Sequence, residues 1–162
     1  MQNFDAIRGG LIVSCQAEGD DPFNRPELLA LFARTAAMGG AVGIRASGCE
    51  NIAAIRAAVD LPVIGITKGV FPDGSVLITE DFADVGMLID AGAQLVALDV
   101  TQRVRPNGLT GCDFLQAVKE AVRRCRDGGR CHPGGGHCRQ RGWSGFRRAN
   151  ACGPYPVLLT TG

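Results

Sequence analysis

Lys68 stands two residues beyond the apolar run Pro62 to Ile66 and has more chemistry to offer than its neighbours. A lysine that a cleft strips of water can give and take a proton or act as a Schiff-base nucleophile. Asp99 follows the run Leu95 to Leu98 and could pair with Lys68 or accept hydrogen bonds from sugar hydroxyls. Gln16 follows Leu11 to Cys15, Arg45 follows Ala41 to Ile44, and Thr101 and Arg103 come just after Asp99. A guanidinium fork offers several donors and suits anionic or hydroxyl-rich ligands. One polar residue at the end of an apolar run is what any chain shows on meeting water. Gln, Arg, Lys and Asp at successive run ends form a pattern that loop polarity alone rarely delivers.

These residues need a scaffold that brings the run ends together. The apolar runs are short and uniformly apolar, as parallel strands buried on both faces should be. Helical patterns lie between them. Pro26-Glu27 opens one that continues through Leu28, Leu31, Phe32 and Met38 and stops at Gly39-Gly40, with Pro and Gly where helix ends favour them. Asn51 suits the N-cap of a second helix over Ile52 to Val59, and Thr79 can cap a third that carries Phe82, Val85, Leu88 and Ile89. Phe114, Leu115, Val118 and Val122 mark a fourth. The order is a βα unit repeated four times, an α/β class chain that winds into half of an eight-unit barrel or an open parallel sheet. No G-x-G-x-x-G follows the first strand, which argues against a dinucleotide fold. Ligands of parallel α/β folds bind at the carboxyl ends of the strands, where the polar set falls.

Composition narrows the partners. The chain has 162 residues, 46% hydrophobic and 20% charged, with a net charge of +1. That balance fits a soluble globular protein and argues against dedicated nucleic-acid or anionic-membrane binding. No apolar run approaches the ~20 residues of a spanning helix. Cys15, Cys49 and Cys112 are scattered, as reduced thiols of a cytoplasmic protein are.

The run ends lie within longer strings. Gly9-Gly10-Leu11-Ile12-Val13-Ser14-Cys15-Gln16-Ala17 resembles the opening of the N-acetylmannosamine-6-phosphate 2-epimerase family. Gly39-Gly40-Ala41-Val42-Gly43-Ile44-Arg45-Ala46, Leu61-Pro62-Val63-Ile64-Gly65-Ile66-Thr67-Lys68, and Ala97-Leu98-Asp99-Val100-Thr101 with Arg103, Arg105 and Pro106 extend the resemblance in order. It implies a (β/α)8 TIM barrel that interconverts N-acetylmannosamine 6-phosphate and N-acetylglucosamine 6-phosphate in sialic acid breakdown. It further implies Lys68 as the acid–base lysine and Gln16, Arg45, Asp99 and Arg103 as substrate contacts. No cofactor or metal is expected, the partner is a small amino-sugar phosphate, and a homodimer is implied.

The resemblance covers roughly Gly9 to Arg124 and stops there; the expected half-barrel is residues 1–124. Residues 125–162 hold six arginines, no lysine, one acid, nine of the 23 glycines and four of the seven cysteines. They are expected to form an irregular, disordered tail. Cys125, Cys131, His132, His137, Cys138 and Cys152 include metal-ligand types, but no pair has C-x-x-C spacing, so no zinc site is expected. Arginines with Trp143 suggest RNA contact only weakly, because no nucleic-acid module accompanies them. The family continues instead with Met-Ala-Asp, Thr-Leu-Glu-Glu and Gly-Thr-Thr-Leu-Ser-Gly-Tyr-Thr. Codons for Asp127-Gly128-Gly129-Arg130, shifted by one nucleotide, permit Met-Ala-Asp-Val; those for Pro133 to Gly136 permit Leu-Glu-Glu-Gly, and those for Arg148 to Gly153 permit Gly-Thr-Thr-Leu-Ala-Gly. A frameshift near Arg123 to Arg126 is therefore expected, with an inactive truncated product as the alternative to an active epimerase. The gene's DNA tests this: a shifted frame that does not encode those strings removes the idea.

Overall fold

The computed structural model describes residues 7–126 and 157–160. In chain order these are β1 (Ile12–Cys15), α1 (Pro26–Met38), β2 (Gly43–Ser47), α2 (Cys49–Ala58), β3 (Val63–Ile66), β4 (Lys68–Val70), β5 (Val76–Ile78), α3 (Phe82–Asp90), β6 (Leu95–Asp99), α4 (Gly111–Arg126) and β7 (Val157–Thr160). The main sheet is parallel in the order β1-β2-β3-β6-β7, and β4 and β5 form a separate antiparallel hairpin. Strand order follows chain order, so each helix returns the chain to start the neighbouring strand, as barrel winding requires.

The four expected strands form, with ends shifted by no more than three residues. Within the tail expected to be irregular, Cys125 and Arg126 close α4, and Val157–Thr160 pairs in parallel with β6, from Val96↔Val157 to Asp99↔Thr160. A run of Val-Leu-Leu-Thr has strand propensity enough to add to an open parallel edge. The candidate ligands Cys131, His132, His137, Cys138 and Cys152, and Trp143, lie outside the described residues.

Each helix begins for a local reason. Pro26 sits in the first turn of α1, and the Gly39 N–H returns to the Thr35 carbonyl at its end. The buried stripe of α1 differs from the expected one: Leu29 and Ala33 face the core, while Leu31, Phe32 and Met38 are exposed. A leucine and an alanine four apart let the helix approach the sheet closely, and Phe32 instead stacks edge-on against Phe23 at 5.4 Å. The cap of α2 also moves. Gly48 takes φ 85° and turns β2 straight into the helix, so Asn51 falls in the first turn and its amide donates to the Ser47 carbonyl. For α3 the cap is Asp81, whose carboxylate accepts from the Asp84 N–H at 3.0 Å, and not Thr79.

Two apolar clusters lie on opposite faces of the sheet. The larger one joins the helices to it, through Leu29, Ile44, Ile52, Ile55, Val63, Leu88, Leu98 and Phe114 among others. The smaller one fills the inner face with Ile64, Ile66, Leu95 and Ala97, against Ile7, Ile12 and Ile78. β3 and β6 are buried at every position, as strands covered on both faces must be. At Gly65 α2, α3 and the loop after α3 all press on β3: a Cβ there would lie 2.8 Å from the Ala93 Cβ, 3.0 Å from the Ile52 Cδ1 and 3.2 Å from the Leu88 Cδ2. Among the described residues no helix is long and apolar enough to cross a membrane.

Candidate active site

Strand alternation decides which side chains face the inner cluster. Ile12 lies on that face, so Ser14 shares it; Ile64 and Ile66 on β3, and Leu95 and Ala97 on β6, set the same parity for Lys68 and Asp99. On β2, Ile44 and Ala46 belong to the helix side, which leaves Arg45 on the inner face. Arg45 stands opposite Ser14 on β1 and Ile64 on β3 in the ladder. Gln16 and Asp99 therefore stand at the carboxyl ends of β1 and β6 and Lys68 two residues past β3, whereas Arg45 lies mid-strand in β2, level with Ile64 of the inner cluster.

The structure brings three of the five candidates together. Gln16, Arg45 and Lys68 line one open cleft of about 500 Å³ with Ser14, Ala17, Glu18 and Asp21. The Gln16 amide donates to the Ser14 hydroxyl, and the Lys68 ammonium pairs with the Glu18 carboxylate. Asp21 accepts the Phe23 N–H at 2.8 Å and so shapes the loop leading to α1. Two acids and two cations thus share the cleft.

Asp99 and Arg103 form a second cluster beside the hairpin. Asp99 is buried at the end of β6; it accepts the Thr101 N–H at 2.8 Å and the Arg103 Nη2 at 3.2 Å. Arg103 also donates to the Ser75 hydroxyl at 2.6 Å and lies 4.1 Å above the Phe71 ring. The possible Asp99–Lys68 pair is not what the structure forms: Lys68 takes Glu18 and Asp99 takes Arg103. The reason is reach. Arg103 is four residues from Asp99, whereas Lys68 opens β4 and is carried toward the first loop. Ser75 donates its N–H and hydroxyl to Asp73, and these bonds, with Arg103 nearby, hold the Asp73 carboxyl below the usual range.

Arg105 underlies the Asp99 cluster, a role that sequence reasoning missed. It is 2% exposed, and its guanidinium donates to the Thr79 and Glu80 carbonyls at 2.8 Å each and to the Asp99 carbonyl. Its carbon centre lies 4.3 Å from the Phe114 ring centroid. Burial pulls its pKa below the ordinary arginine value, while Asp99 and Glu80 push it back up. The bonds fasten the end of β5 to the end of β6. They also help hold Thr79 at φ 51°, together with the Thr79 hydroxyl, which donates to the Ala97 carbonyl at 2.8 Å. Glu18 and Asp21 were likewise missed, although an acidic loop directly after the first strand was a usable signal.

Burial raises the Cys15 thiol, and burial with the nearby Asp84, Asp90 and Glu50 carboxylates raises Cys49. Neither is primed as a nucleophile. Among the described residues no group of three or more His, Cys, Asp or Glu side chains is placed to hold a metal ion.

A family profile described as "Putative N-acetylmannosamine-6-phosphate epimerase" matches residues 29–128. The chain belongs to this epimerase family. A relative from Caldanaerobacter subterraneus subsp. tengcongensis that carries the 2-epimerase name is 42% identical over 120 residues, which is 74% of this chain and 51% of the relative. One from Thermosynechococcus vestitus is 46% identical over 112 residues, 69% of this chain and 48% of the relative. The solved N-acetylmannosamine-6-phosphate 2-epimerase of Clostridium perfringens matches with a TM-score of 0.64 at 32% identity, covering 77% of this chain and 61% of that one. The fold is accordingly part of a TIM barrel. This member of the epimerase family spans about half the length of the curated relatives it matches.

Proposed function

We propose that the cleft handles N-acetylmannosamine 6-phosphate and N-acetylglucosamine 6-phosphate by proton transfer at C2. The observation that carries this is the placement of Lys68, Arg45 and Gln16 around one cleft in a chain of this family. In the open-chain sugar the C2 hydrogen lies beside the C1 aldehyde, which acidifies it. The Lys68 amine takes that proton and the electron pair moves onto the aldehyde oxygen as an enolate; water then protonates the other face of C2 as the aldehyde re-forms, and the proton Lys68 gives up neutralises the hydroxide left behind. The Arg45 guanidinium and the Gln16 amide supply donors for the enolate oxygen and the sugar hydroxyls. Asp99 and Arg103, in the second cluster beside the hairpin, supply further substrate contacts, with the Arg103 fork already ordered by Ser75 and Phe71. The step needs neither metal nor organic cofactor. The protein acts in the cytoplasm as a homodimer without nucleic-acid or membrane partners.

A second reading is a catalytically silent chain, favoured by residues 125–162, which do not carry the strings with which the family continues. Incorporation of deuterium at C2, followed by NMR on purified soluble protein in D2O, separates the two. Exchange that falls by about 10²–10⁴-fold in Lys68→Ala, the range of a lost general base, supports the enzyme reading. Soluble protein that exchanges nothing overturns it. Sedimentation velocity tests the dimer.

A further inference from the structure

Glu18 is the acid in contact with Lys68, and it comes from a different element: the loop after β1, against the first residue of β4. The Glu18 side chain is 60% exposed and that of Lys68 is 31% exposed, so the pair spans the mouth of the cleft at its solvent side. The cleft's formal charges cancel, with Glu18 and Asp21 against Arg45 and Lys68. A cleft that admits a phosphate ester or an enolate at Lys68 must first give up this internal carboxylate. Asp21 lines the same cleft but is committed to the Phe23 N–H, so the two acids are not equivalent.

We infer that Glu18 is a tethered competitor for Lys68, and that an anionic ligand enters the cleft by displacing the Glu18 carboxylate from the ammonium. The inference deepens the proposed function by naming the residue that sets the affinity of that site for anions. Its physics is ordinary: a solvent-exposed ion pair is weak enough to be exchanged for a ligand anion, and salt weakens it further. Glu18→Gln keeps the shape of the side chain and removes only the competing charge.

The sequence makes the test direct, because the chain has two lysines, Lys68 and Lys119. Acylation by N-hydroxysuccinimidyl acetate is followed by peptide mass spectrometry, with Lys119 as the internal standard and inorganic phosphate as the competing anion at constant ionic strength. In Glu18→Gln, Lys68 is expected to label faster relative to Lys119. Phosphate is expected to protect it at a concentration about two- to fivefold lower than in the wild type, the range that an exposed pair allows. Asp21→Asn removes the same charge from the cleft without touching the pair and is expected to leave Lys68 labelling unchanged. Equal Lys68 labelling in wild type and Glu18→Gln overturns the inference. So does phosphate that protects Lys68 in neither protein, or an Asp21→Asn variant that reproduces Glu18→Gln. None of these readouts requires turnover, so loss of C2 exchange bears on the proposed function alone.

Discussion

Replacing Arg105 with alanine removes a buried guanidinium from three main-chain carbonyls and from the face of Phe114. A hydrogen bond to a charged group contributes about 1.5–3 kcal/mol, and a buried acceptor left without a donor costs about 1–3 kcal/mol. These terms overlap, because the truncated side chain leaves space that water can partly fill. A total of roughly 4 kcal/mol is expected, within the about 3–5 kcal/mol seen when one partner of a buried charged interaction is removed. Domain stabilities are about 5–15 kcal/mol, so the loss is a large fraction of the whole. With a urea m-value of about 2 kcal/mol/M, the midpoint of urea unfolding followed by circular dichroism should fall by about 2 M. Arg105→Lys keeps the charge and can reach one or two of the carbonyls, so its midpoint should fall between the two. An alanine variant within about 0.5 M of the wild-type midpoint, at an unchanged m-value, would refute the assignment of Arg105 as the fastening between β5 and β6.

Two further outcomes follow from local geometry. Asp81→Ala removes the side-chain cap of α3 and should lower stability by about 1 kcal/mol in the same unfolding assay, with Asp81→Asn largely retaining it. Cys15 and Cys49 have raised thiol pKa values in the folded chain, so the folded state keeps protons that the unfolded state releases. The stability they contribute is complete below the ordinary thiol pKa and is lost as pH rises through the folded values. The melting temperature should therefore decline above about pH 8.5. Cys15→Ala should flatten that decline; a melting temperature that is the same at neutral and strongly alkaline pH in the wild type would contradict the assignment.

Much of the scaffold was legible because parallel strands advertise themselves as apolar runs and because Pro26 and Gly39 sit at opposite ends of α1. The misplacements share one cause: several residues can do the same local job, and tertiary contacts choose among them. Thr79 and Asp81 are both competent caps, but the Thr79 hydroxyl is claimed by the Ala97 carbonyl of β6, which leaves the cap to Asp81. Asn51 is a good capping residue in the wrong turn, since Gly48 already bends the chain into α2. The β4–β5 hairpin has strands of three residues, too short for any period, although Pro72-Asp73-Gly74 marked its turn. At the site, Gln16, Arg45 and Lys68 could be grouped from the sequence because each follows an apolar run. That Lys68 faces Glu18, and Asp99 faces Arg103, depends on loop paths that spacing does not encode.

The fastening at Arg105 is lopsided in a way that matters for how this chain can change. Its acceptors are the main-chain oxygens of Thr79, Glu80 and Asp99, and every amino acid supplies such an oxygen. The side chains at those three positions can therefore drift under selection for other purposes without removing an acceptor. A library randomised at Arg105 and Glu80 should return arginine at the first and variety at the second, whereas Thr79 and Asp99 are held by bonds of their own side chains.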